Sequence, residues 1–137
     1  MGVGGLALTL AITLTTQAAA QVIPTGTPAA DILLSQAITE QRVFLTCSAL
    51  DPALHARIAD SWQRDVTDAT AILTANKVPP EAIAAFTEAA APAALMPGPE
   101  TPWAAVKGLC DTHSDWQTRL AQFDFTLLGQ RLPQVFP

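Results

Sequence analysis

The chain has 137 residues, enough for one domain with a single core. Its 7 Lys and Arg stand against 12 Asp and Glu, for a net charge of −5, and the cations form no cluster. That balance excludes a protein gripping nucleic acid through its phosphates, and it lacks the basic face of an anionic-membrane binder.

Residues 1–20 carry no charged side chain, and an apolar run extends from Val3 to Leu14. Thr15, Thr16 and Gln17 follow, then Ala18, Ala19 and Ala20. This is the anatomy of a secretory signal peptide, with small residues where a peptidase cuts. The run is too short for a membrane span of about 20 residues. No Lys or Arg precedes it, and no cysteine lies near the cut for a lipid anchor. The expectation is a cleaved signal at 1–20 and export to a bacterial periplasm or beyond, with no stable membrane span afterwards. Residues 21–137 then form a single helical domain.

This remainder reads as all-α, a compact bundle of four main helices. Residues 21–26, with Pro24 and Gly26, read as a short flexible tail. Thr27 and Pro28 pair a capping residue with proline at the first helical position, where its missing N–H costs nothing. The first helix is expected over 28–48, with Leu34, Ala37, Ile38, Gln41 and Leu45 on one face and Leu33, Phe44 and Cys47 adjoining. Asp51 and Pro52 repeat the start signal. Leu54, Ile58, Trp62, Val66, Ala69 and Leu73 then recur at helical spacing to about residue 76. Asp60, Arg64 and Asp68 mark the opposite side, a solvated face with an acid-first Asp60–Arg64 pair.

Pro79 and Pro80 restart the chain as a third helix to about residue 91, with Ile83, Phe86 and Ala90 inward, and Pro92 ends or kinks it. Met96 to Pro99 is a loop. Thr101 and Pro102 open a fourth helix, expected to reach Cys110, break near 111–114 and resume over 115–128. Thr112 with Asp115, and Ser114 with Gln117, match the capping-box pattern. Trp116, Leu120, Phe123 and Leu127 face inward. Gly129 reads as a stop, and 129–137 as a proline-bounded extended tail.

Cys47 and Cys110 are the only cysteines. In an exported protein an even count points to a disulfide. Cys47, His55, Cys110 and His113 could instead close a tetrahedral zinc site, but the tight Cys-x-x-Cys spacing of such sites is missing. That missing spacing also argues against a thiol redox site or haem attachment. His55 or His113 could act as a general base, yet no serine sits in a nucleophile motif. The acidic pairs Asp65/Asp68 and Asp111/Asp115 lack the aromatic platform of a sugar cleft. Trp62 and Trp116 fall on core stripes, which leaves Trp103 as the aromatic suited to a partner or ligand. No catalytic, cofactor or metal residue is assigned.

With its signal, Leu45-Thr46-Cys47 and Leu109-Cys110-Asp111-Thr112-His113, the outline resembles small two-cysteine helical periplasmic proteins, including acid-stress chaperones. It departs from them in placing a long helix before the first cysteine. The leading expectation is a non-enzymatic protein acting by contact with a protein partner or by chaperone-like binding. The alternative is a carrier of a small apolar ligand or lipid in an interhelical pocket. A metal protein or hydrolase using His55 or His113 is the least favoured.

Overall fold

The computed structural model describes residues 23–122 and 127–137. The expected signal segment and Phe123 lie outside the described residues. The fold is all-α and carries a Cys47–Cys110 disulfide. Seven helices appear among the described residues: α1 Pro28–Cys47, α2 Pro52–Ala75, α3 Pro80–Ala90, α4 Pro92–Leu95, α5 Trp103–Thr112, α6 Trp116–Gln122 and α7 Leu127–Val135. None of the described helices is long and apolar enough to cross a membrane.

Pro28, Pro52 and Pro80 stand in the first turns of α1, α2 and α3 as the sequence suggests. Pro92, read as an end or kink of α3, also opens α4, and Pro102 is the N-cap residue of α5 and not its first helical residue. Asp51 caps α2 by accepting the Leu54 N–H at 3.2 Å. Thr27 does not cap α1 with its side chain. The chain before α1 is tied down another way. Asp31 accepts the Thr25 N–H at 2.9 Å and also the Thr25 hydroxyl, while Gly26 turns the backbone at φ +87°. That turn drops Ile23 into the core, 1% exposed. Residues 23–26 are therefore a packed segment and not the loose tail expected.

Helix α2 ends in a Schellman motif, in which the Val78 N–H reaches the Leu73 carbonyl at 3.1 Å and the Lys77 N–H reaches Thr74 at 3.0 Å. Lys77 occupies the left-handed position at φ 59°, and Val78 is buried behind it.

Helix α1 packs against each of the other six helices. Its two apolar stripes are both used: Leu33, Leu34, Ile38, Phe44 and Leu45 are all buried. Ile58, Trp62, Ala69 and Leu73 face it from α2. The Trp62 indole N–H donates to the Ala90 carbonyl at 2.8 Å. That carbonyl lies at the end of α3. The Ala94 N–H, which would otherwise bond it, bonds Ala91 instead as the chain re-enters helix after Pro92.

The C-terminal end corrects the sequence reading. Residues 127–135 form α7, not an extended tail, and Gly129 lies inside that helix. Leu128 and Leu132, four apart, are fully buried. Their burial offsets the hydrogen bond that Pro133 removes from the helix. Gly129 lets α7 approach α2 closely; a Cβ there would meet the Asp68 carboxylate at 3.3 Å.

Two smaller expectations are also revised. Helix α5 runs on to Thr112, whose hydroxyl bonds back to the Gly108 carbonyl at 2.8 Å and is no cap. Arg64 donates to the Ser61 hydroxyl at 3.2 Å, and no Asp60–Arg64 ion pair forms among the described residues.

Candidate functional site

Cys47 is the last residue of α1 and Cys110 lies on α5, with Cα atoms 5.6 Å apart. Both sulfurs are committed to the disulfide, so the zinc set of Cys47, His55, Cys110 and His113 has no free thiolates. His55 Nδ1 lies 2.9 Å from the Leu45 carbonyl and 3.2 Å from the Ser48 hydroxyl. The ring thus donates to the end of α1 and ties it to the first turn of α2. His113 caps the C-terminal end of α5. The disulfide joins the ends of α1 and α5, and the His55 ring ties the end of α1 to α2.

The acidic pairs separate in the same way. Asp111 forms an exposed ion pair with Lys107, one turn earlier on α5. Asp65 is 3% exposed on α2. Its carboxylate accepts the Leu128 N–H at 3.1 and 3.3 Å and the Gly129 N–H at 3.3 Å. It therefore caps the first turn of α7, where backbone N–H groups lack helical partners and the helix dipole favours negative charge. Burial holds its pKa above the ordinary 3.8, against the lowering effect of those two N–H groups and with a further push from Asp68.

A cleft of about 460 Å³ opens between α1, α2, α6 and α7. Its apolar side is Leu33, Ala37 and Phe44 from α1, Trp62 from α2, Leu120 from α6 and Leu127 from α7. Its polar side includes Glu40, Gln41, Asp65, Arg119 and Arg131. Arg119 Nε lies 3.1 Å from Glu40 Oε1, an ion pair without the alignment of a hydrogen bond. Arg119 Nη2 and Gln41 Oε1 are shielded from solvent and have no hydrogen-bond partner among the described residues. Buried polar atoms are rarely left so. An apolar cavity edged by a few convergent polar groups is the usual form of a small-molecule site, and its size falls within the range of about 300–1,000 Å³.

Sequence reasoning missed this cleft. Its walls come from helices up to 98 residues apart in the chain, between Leu33 and Arg131. Arg119 in the pattern Trp116-Gln117-Thr118-Arg119-Leu120 reads as an ordinary surface cation. The one usable signal was α1 itself, whose apolar face is broader than a helix with a single neighbour requires.

Trp103, the aromatic singled out from the sequence, does not line the cleft. It stands 62% exposed at the start of α5, a helix with no fully buried residue.

No family model matches this chain, and no curated protein or solved structure matches it.

Proposed function

We propose that this protein is a non-enzymatic carrier that holds a small, mostly apolar molecule in the cleft between α1, α2, α6 and α7. The observation that carries the reading is the cleft itself: apolar walls beside a shielded, unpartnered guanidinium nitrogen on Arg119. Native mass spectrometry with decanol tests it. The expected result is a one-to-one adduct with the native chain and none with Ala37→Trp, whose indole would fill the cleft. An adduct insensitive to that substitution, or none at all, would count against the reading.

The carrier works outside the cytoplasm, in the periplasm of a bacterial cell or beyond it, after removal of residues 1–20. The disulfide supports this, because such bonds persist in oxidising compartments. Intact mass of the exported protein should place its N-terminus at Gln21.

A second reading, contact with a protein partner or chaperone-like binding, is favoured by α5. This helix presents Trp103 to solvent and buries none of its residues fully. Aromatic anchors of this kind are common at interfaces. Loss of a captured partner in Trp103→Ala, with the decanol adduct intact, would assign that role to α5 and keep it separate from the cleft.

A further inference from the structure

We infer that the occupant of the cleft is a single-chain amphiphile with a carboxylate head, seated with the carboxylate on Arg119 and the chain on the apolar wall. The inference rests on the cleft being a ligand site, as proposed above, and adds the chemistry of the ligand.

The argument comes from how the charges in the cleft are already used. Among the described residues, two carboxylates and two guanidinium groups line it. Asp65 is held by the Leu128 and Gly129 N–H groups and turned to the start of α7. Glu40 Oε1 lies 3.1 Å and Asp115 Oδ1 3.9 Å from Arg119 Nε, so both carboxylates meet the same edge of the guanidinium. Arg119 Nη2 is shielded from solvent and has no hydrogen-bond partner among the described residues. The Arg131 side chain is exposed and enters no ion pair among the described residues. Glu40 Oε1 and Gln41 Oε1 are shielded without a hydrogen bond as well, but both carboxylates beside Arg119 sit at its Nε edge, which leaves the Nη2 edge as a charged donor for a ligand to engage.

A shielded, unpartnered donor on a charged group is costly, and an anionic acceptor relieves that cost best. The planar guanidinium fork suits a carboxylate in particular. A neutral alcohol supplies a weaker acceptor, and a quaternary ammonium head supplies none. Leu33, Ala37, Phe44 and Leu120 then receive the alkyl chain, with its burial as the sequence-independent share of affinity.

Isothermal titration with decanoate, decanol and decyltrimethylammonium at neutral pH tests this. Decanoate should bind about tenfold tighter than decanol, the fold-change a charge-assisted hydrogen bond supplies. Arg119→Gln should bring decanoate to the level of decanol and leave decanol unchanged. If that variant fails to fold, Arg131→Gln at the exposed rim should weaken decanoate and not decanol. Equal affinity for decanoate and decanol, or a preference for the ammonium amphiphile, would overturn the carboxylate head and leave the cleft as a ligand site. Binding of none of the three would overturn the cleft reading as well.

Discussion

Asp65 on α2 accepts the backbone N–H of Leu128 at 3.1 Å across 63 residues of sequence. This one buried carboxylate caps the start of α7 and lines the cleft between α1, α2, α6 and α7. Its bonds go to backbone donors and not to a cation, so its charge remains a burden in a low-dielectric site.

The consequence is a pH dependence of known sign. The folded carboxyl holds its proton above the ordinary 3.8, so between these values the folded state binds more protons than the unfolded one. Stability from this group is full below 3.8 and is lost as pH rises through the raised value. Asp65→Asn keeps an acceptor for Leu128 and carries no charge. Relative to Asp65→Asn, the native chain should lose stability in urea melts as pH rises above 3.8 and through the raised value. Asp65→Ala should be destabilised at every pH by about 1–3 kcal/mol, because two N–H groups lose their acceptor.

Trp62→Phe isolates a second long-range bond. The ring volume is partly kept, but the Ala90 carbonyl loses its indole donor. A loss of about 1–3 kcal/mol is expected in denaturant unfolding. An unchanged midpoint would show that water satisfies that carbonyl equally well.

The disulfide should matter most for α5. That helix has no fully buried residue, and Cys110 is its covalent tie to α1. Closing a loop of this length constrains the unfolded chain by about 4 kcal/mol. Reduction, or the Cys47→Ala/Cys110→Ala pair, should lower stability by up to that amount. Amide exchange should rise over 103–112 first, while Phe44, Trp62 and Leu73 stay protected.

Lys77→Gly should stabilise the protein by about 0.5–1 kcal/mol. The native residue sits in the left-handed region that disfavours a Cβ, and glycine removes the clash at some cost in chain entropy. A higher melting temperature with an unchanged denaturant slope is the expected signature.

Much of this fold was written locally. Proline in a helix's first turn depends only on neighbouring residues, so the starts of α1, α2 and α3 were legible, whereas Pro92 read as a stop and not as the opening of α4. The i, i+4 recurrence from Leu54 through Leu73 was legible for the same reason. Helix α7 was not, because its support is non-local. Gly129 and Pro133 argue against a helix in isolation, and Asp65, which caps it, lies far upstream. Residues 23–26 misled in the same way, since Asp31 fastens Thr25 and Ile23 only when α1 has formed. The two cysteines were legible as a pair through compartment and count. The cleft was not legible at all, since Arg119, Glu40 and Phe44 become neighbours only through packing.

The central claim is that the space between α1, α2, α6 and α7 receives an apolar molecule. Methyl-resolved NMR during a decanol titration tests it most directly. The largest shifts should fall on Leu33, Ala37, Leu120 and Leu127, and saturate together at one equivalent. Shifts confined to Val106 and Leu109 on α5, or no shifts at all, would contradict it.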